Sequence, residues 1–330
     1  MALLKFFTMK SKMPMLYGID IRDTAIYLLA LQRVAGRYTI SKASRLPLPH
    51  GVVVNLTIQT PAALVNALRQ LREHNGGTTI ETVAVSVPAT AAITKIISLQ
   101  ERLTDLEIEH HLACQLPHYL NMTPETVYFD YERFTNNEIS SPAIRLVAVR
   151  REEVDGRVNL LQAAGWQVMA VDTEPLALER AARWLATPQE KQQMIGVILL
   201  TLTTAALYVM HQGYLIFSRI EHYHPTATQQ DEHSLPAALQ HLWQWFALTK
   251  PAAQLDQLFL SGETSVVTEL LTIVPSVIPI NQVSQSFSGL EAANPFANCE
   301  VAPDIDTTLL TTYASEYLVS YGLAIRSWER

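Results

Sequence analysis

The chain has 330 residues, too many for one ordinary core and enough for one large bilobal domain or two smaller ones. Hydrophobic residues make up 48% and charged residues 17%, so a sizeable core can form and intrinsic disorder is excluded. The formal net charge of −7 argues against nucleic-acid binding, which needs a basic surface.

The first twelve residues, MALLKFFTMKSK, mix Leu3, Leu4, Phe6 and Phe7 with Lys5, Lys10 and Lys12. Residues 1–13 read as a flexible, basic and apolar tail, and such a piece can also lie on an anionic membrane. A long apolar run with a small-residue cleavage site is missing there, so secretion is not indicated. From Leu16 to Ile21, Ala25 to Leu31 and Tyr38 to Leu46 the pattern predicts three strands, with a turn at Arg33 to Arg37. A helix is expected from Pro61 to about His74, with Pro61 in its first turn, Thr60 as its cap, and Leu64, Leu68 and Leu71 on one face. Strands follow at Val83 to Val87 and Ile93 to Leu99. Thr104 to Glu107 reads as a capping box opening a helix that ends near Pro117. Val127 to Phe134 and Ile144 to Val149 are strands. A helix from Glu152 to Ala164 stops at Gly165, and a strand at Gln167 to Val171 leads into a helix at Glu174 to Leu185.

Thr187 to Gln192 is the clearest linker and divides the chain into lobes of similar size, 14–187 and 188–330. Met194 to Met210 carries no charge over about the minimum length of a membrane span. Its β-branched runs, with Gln212-Gly213 as a turn before Tyr214 to Ile220, predict three strands instead. Leu235 to Thr249 is a helix, Gln257 to Leu260 a strand leading into Ser261-Gly262, and a closing helix spans about Thr307 to Ser327. Two halves that each open with a meander indicate a mixed α/β bilobal protein.

Several segments, in order, resemble the PilM family of type IV pilus assembly proteins. They are Leu16-Tyr17-Gly18-Ile19-Asp20-Ile21; Val85-Ser86-Val87-Pro88 with Ile93-Thr94-Lys95-Ile96-Ile97; Glu107 to Pro117 with Val127 to Tyr131; and Ala163-Ala164-Gly165 with Val171-Asp172-Thr173-Glu174-Pro175. Asn294-Pro295-Phe296 and Gly322-Leu323-Ala324-Ile325-Arg326 complete the series. The resemblance implies an α/β, bilobal actin-like ATPase fold, a duplicated ribonuclease H-like unit related to FtsA, with a small subdomain inserted in the first lobe at about 89–165. It implies a cytoplasmic protein, peripheral on the inner face of the bacterial inner membrane, serving pili of the kind used in twitching or competence. The implied partner is the cytoplasmic N-terminal tail of PilN, which pairs with PilO; pilus motor and platform proteins are further partners. The helix around Leu106 to Tyr119 and the strands Val83 to Val87 and Ile93 to Leu99 are where such a tail is expected.

The resemblance also implies ATP and Mg²⁺. A site of this kind presents backbone N–H groups from tight hairpins to phosphates and holds the metal with a carboxylate. Asp20 is the candidate metal carboxylate. Arg22, Asp23 and Thr24 replace the family's small Gly-Ser turn, and Tyr27 stands where it has a lysine. In the second loop, Leu199 replaces an Asp and Thr201 a Gly, with Thr203 close by. The third loop reads Ser261-Gly262-Glu263-Thr264 for S-G-G-G, and on the adenosine helix Ala238 replaces Glu and His241 replaces Arg. The favoured reading is an adaptor that docks PilN and has a degenerate nucleotide site; the alternatives are an ATPase switch controlling that docking and a filament-forming relative.

Other constellations carry less. Cys114 and Cys299 form no CxxC, and a reducing compartment is the simpler reading. His110, His111, His118, His222, His224 and His233 lack regular ligand spacing and read as surface or helix-end residues. Ser86 and Ser261 stand outside any G-x-S-x-G elbow. Trp243, Trp245 and Phe246 read as core packing, with a subdomain interface as the alternative.

Overall fold

The three-dimensional structure, a computed structural model, describes residues 15–34, 37–76, 81–99, 103–134, 142–185, 194–227, 231–277, 279, 283–285, 287 and 289–328. The tail at 1–13, the linker at 187–192 and the middle of the turn at 33–37 lie outside them. In chain order the strands and helices are β1 (Tyr17–Ile21), β2 (Ala25–Val34), β3 (Arg37–Pro47), β4 (Val53–Val54), β5 (Thr57–Ile58), α1 (Pro61–His74), β6 (Thr82–Val87), β7 (Ala92–Ser98), α2 (Asp105–Leu120), β8 (Val127–Phe134), β9 (Ala143–Arg150), α3 (Arg151–Ala163), β10 (Gln167–Thr173) and α4 (Glu174–Leu185). They continue as β11 (Met194–Leu200), β12 (Thr204–His211), β13 (Tyr214–His222), α5 (Leu235–Thr249), β14 (Gln257–Gly262), α6 (Thr264–Val277), β15 (Leu290–Ala292), β16 (Glu300–Val301), α7 (Thr307–Thr312) and α8 (Leu318–Ala324).

Two sheets repeat one plan. The first runs β10-β6-β1-β2-β3-β16 and the second β13-β12-β11-β14-β15. Each begins as an antiparallel meander, β1-β2-β3 or β11-β12-β13, and then adds parallel strands beside its first strand, β6 and β10 or β14 and β15. The charge-free stretch at 194–210 is therefore a β11–β12 hairpin, and among the described residues no helix is long and apolar enough to cross a membrane.

Strand alternation assigns the two faces of β2. Tyr27, Leu29 and Leu31 enter the core between the sheets, where α4 and α8 also lie, while Ile26, Leu28 and Ala30 join the core under α1 and α3. A third core forms where α5 and α6 cover the second sheet, and a fourth where α2 packs on the three-stranded sheet β7-β9-β8. Trp243 and Phe246 are buried in the third core, whereas Trp245 of the same aromatic run is 45% exposed beside Arg219. Helix α3, inside the expected insert range, buries Val154 and Leu161 with the first sheet. Two elements of the part assigned to the second lobe from the sequence pack with the first sheet: β16 pairs with β3, and α8 packs on α4 and β1.

Three local expectations change. Thr60 stands at the N-cap of α1, but its hydroxyl donates to the Gly51 carbonyl at 3.4 Å and caps nothing. The Thr104–Glu107 capping box forms as expected, yet α2 runs through Pro117 to Leu120. A proline one turn from the end removes a single donor, and the Asn121 N–H still closes the helix on the Pro117 carbonyl at 2.9 Å. The closing helix is broken into α7, a 3₁₀ turn at Ala314–Tyr317, α8 and a second 3₁₀ turn. Ser315 and Glu316 bind residues of the second sheet's loops and pull that turn off the helix axis.

Candidate functional site between the two sheets

The β1–β2 turn opens toward the gap between the lobes. Arg22 N–H closes it on the Ala25 carbonyl at 3.0 Å. The Arg22 side chain points inward and is buried. Nε donates to Asp20 Oδ2 at 2.7 Å, and Nη2 lies 3.8 Å from Glu174 Oε2. Nη1 is buried without a hydrogen-bond partner among the described residues. Burial works against the Arg22 charge, but the two carboxylates outweigh it and hold the guanidinium protonated. Burial pushes the Glu174 carboxyl up, aided by the Asp20 charge, and Arg22 and the Tyr208 hydroxyl only partly reverse this.

Asp23 faces the other way. Its carboxylate accepts the N–H groups of Asn55 and Leu56 at 2.9 and 2.8 Å. Those two residues form the β4–β5 turn with φ of 51° and 59°, the left-handed pair that a two-residue hairpin requires. Asn55 Oδ1 in turn accepts the Thr203 hydroxyl, so this hairpin joins the first loop to the second across the lobes. The Thr24 carbonyl accepts from Leu48 N–H at 2.8 Å.

In the second loop, Thr201 Oγ1 accepts the N–H groups of Thr203 and Thr204 at 3.3 and 3.0 Å and pairs with the Thr204 hydroxyl at 2.7 Å. The amides a hairpin would offer to a phosphate are thus turned onto a side chain of the same loop. The third loop is fastened from the chain's C-terminal part. Ser261 Oγ donates to the Ser315 carbonyl at 2.7 Å, and Ser315 Oγ to the Gly262 carbonyl at 3.1 Å. Gly262 has φ 130°, and a Cβ there would lie 2.3 Å from the Leu200 carbonyl oxygen, so both the backbone conformation and the packing require glycine. Glu316 receives the N–H and hydroxyl of Thr264 at 2.9 and 2.8 Å, the Tyr27 hydroxyl, and Arg45 Nε at 3.2 Å. A carboxylate of the chain itself therefore caps the start of α6.

Asp23 and Thr203 are joined through Asn55, Thr201 lines a cavity with Asn55 and Glu174, Arg22 meets Asp20 and Glu174, Thr24 binds Leu48, and Ser261 and Gly262 meet Ser315. His241 stands apart, exposed on α5. Asn55, Pro88, Glu174, Thr201, Thr204 and His222 line a cavity of ≈ 30 Å³ between the loops, about the space of one water. Sequence reasoning missed Asn55, Tyr208 and Glu316. Glu174 stood in a quoted motif without a role, while Glu316 lies in no local pattern at all.

Two repeats of a meander-plus-parallel-strand sheet, with hairpin loops facing each other across two central helices, define an actin-like protein. The sequence profile of the family described as Type IV pilus assembly protein PilM matches residues 18–233. The chain belongs to that family. A solved PilM–PilN type IV pilus biogenesis complex is similar over 96% of this chain and 99% of its own, at 19% identity and a TM-score of 0.75. The cytoplasmic domain of EpsL, an inner-membrane component of the Vibrio cholerae type II secretion system, is similar over 91% and 94%, at 13% identity and a TM-score of 0.45. The ethanolamine utilization protein EutJ from Carboxydothermus hydrogenoformans is similar over 97% and 92%, at 10% identity and a TM-score of 0.47.

Proposed function

We propose that this chain is a cytoplasmic adaptor of the type IV pilus inner-membrane assembly complex, that it docks the N-terminal tail of PilN, and that it does so without nucleotide. PilO and the motor and platform proteins connect to it through that docking, which also holds it at the inner face of the membrane. Family membership and the likeness to a PilM–PilN complex support the partner.

One feature of the surface carries the docking reading. β7 is an edge of the inserted sheet and β13 is an edge of the second sheet, and they face each other across a groove of ≈ 470 Å³. Thr94 and Ile96, at alternate positions of β7, line one wall; Leu215 and Phe217 line the other, with Pro175 between them. Unpaired strand edges bind extended peptides through main-chain hydrogen bonds, and apolar positions two residues apart supply side-chain pockets. Strand addition of this kind favours Ile93 to Leu99 over the other two expected contact regions. Val83 to Val87 lies in β6, paired on both sides by β1 and β10, so it has no free edge. Helix α2 packs with Ile93 and Ile97, on the sheet face opposite Thr94 and Ile96.

The nucleotide side of the reading rests on fit. A triphosphate with Mg²⁺ needs a free metal carboxylate, open amides and room. Here Asp20 is paired with Arg22, the Thr203 and Thr204 amides with Thr201, and the α6 start with Glu316, and the cavity lined by Asn55, Glu174 and Thr201 measures ≈ 30 Å³.

A labelled synthetic peptide of the PilN N-terminal tail from the same organism tests the docking by fluorescence anisotropy. Saturable binding is expected. Ile96→Lys, at a position 43% exposed and so tolerant of change, is expected to weaken it on the order of tenfold with the melting temperature unchanged. Lack of binding by folded native protein would remove the proposal.

A further inference from the structure

We infer that Arg22 is a built-in counter-ion, standing between Asp20 and Glu174 where an actin-like site would hold a divalent cation, so that the lobes close on a charge that cannot dissociate. This rests on the reading that the site takes no nucleotide.

Asp20 and Glu174 come from different elements, β1 and the first residue of α4, and both carboxylates are buried, at 3% and 5% exposure. Two such groups in a low-dielectric gap attract a cation. Arg22 supplies one positive charge from the residue directly after β1, with Nε on Asp20 at 2.7 Å and Nη2 3.8 Å from Glu174. Other charged neighbours do not replace it: Arg157 acts on Asp20 at longer range and spends its hydrogen bonds on Glu153 and the Leu56 carbonyl. Burial, and after it the Asp20 charge, raise the Glu174 carboxyl, and Arg22 only partly reverses this. Glu174 Oε1 then accepts the Tyr208 hydroxyl of β12 at 2.8 Å. The series Asp20, Arg22, Glu174, Tyr208 therefore runs from the first sheet to the second through side chains alone. A bound ion would make that link depend on free cation; a guanidinium makes it permanent.

Thermal melting of the full chain in EDTA, Mg²⁺, Mn²⁺ and Mg-ATP tests this. The native melting temperature is expected to be the same in all four. Arg22→Ala is expected to melt on the order of 5–10 °C lower in EDTA and to regain part of the loss in millimolar Mg²⁺ or Mn²⁺. The double variant Asp20→Asn with Arg22→Ala is expected to recover stability in EDTA and to ignore both cations. An Arg22→Ala protein that is as stable as native, or weakened but indifferent to both cations, overturns the inference. Should Arg22→Ala not fold, the double variant decides: its folding supports the inference and its failure overturns it. A native protein stabilised by Mg²⁺ alone also overturns it. Stabilisation of native protein by Mg-ATP and not by Mg²⁺ would instead strike the nucleotide-free reading itself.

Discussion

Asp172→Ala is expected to lower the stability of the fold by about 3–5 kcal/mol, the loss typical of removing one partner from a buried ion cluster. Asp172 is the penultimate residue of β10 and has no solvent exposure. Its Oδ2 receives Arg180 of α4 at 2.8 Å and Arg326 of the C-terminal 3₁₀ turn at 2.6 Å, and its Oδ1 receives the Thr173 N–H at 2.8 Å. Alanine leaves two buried guanidiniums without that carboxylate and unties three elements at the centre of the molecule. Burial alone would raise the Asp172 carboxyl, but Arg180 and Arg326 overcome it and hold the group below its ordinary range. The sign of the linkage follows. A depressed native pKa means stability that is present above the unfolded value of about 3.9 and is lost as pH falls through the native value. Urea unfolding of native protein and variant from neutral pH to about pH 2 checks both parts. The gap between them is expected to be widest at neutral pH and to narrow in acid. A neutral-pH loss below about 1 kcal/mol, the scale of an exposed ion pair, would show that this cluster is not what fastens the core.

The second large effect comes from a single methyl group. A Cβ on Gly322 would lie 1.9 Å from the Ala177 carbonyl oxygen, with the Ala177 carbonyl carbon at 2.6 Å. The obstruction is backbone, so no rotamer change relieves it, and α4 and α8 must separate. The Arg180 bond to the Gly322 carbonyl at 2.9 Å is strained with them. Gly322→Ala is expected to cost about 3 kcal/mol or more, the upper range for overpacking. Gly156→Ala, on the exposed face of α3 with nothing within 4 Å of the added atom, is the control and is expected to gain about 0.5–1 kcal/mol from helix propensity. Thermal unfolding of the two variants beside the native protein gives the comparison. Equal melting temperatures for Gly322→Ala and native protein would refute the close crossing of α4 and α8.

Both predictions fall on motif residues, and this shows how far local pattern reached. Val171 to Pro175 and Gly322 to Arg326 were legible as family signatures, but their shared purpose was not. Arg326 reaches Asp172 across 154 positions, and Gly322 meets Ala177. Elements with strong periodicity were legible: α1 buries Leu64, Leu68 and Leu71 on one face, and the β11-β12-β13 meander contains its apolar runs and its Gln212-Gly213 turn, with strand ends up to three residues beyond them. The β4–β5 hairpin went unseen because its strands have two residues each and Leu56 is a poor signal for a left-handed turn. Helix α6 was hidden by its many threonines and valines; it is held by Val267, Leu270 and Val274 against the second sheet and by Glu316 at its start.

The sequence by itself determined most of the element types, the two-meander plan, the buried face of α1, and the family. These depend on periodicity and short motifs, which report which side of an element avoids water. Only the tertiary structure decided what the charged and polar residues do: that Arg22 turns inward to Asp20, that Thr201 takes its own loop's amides, and that Glu316 meets Tyr27 from 289 positions away. Which charges become neighbours is set by how the sheets and their crossing helices stack, and burial pattern along the chain holds no record of that pairing.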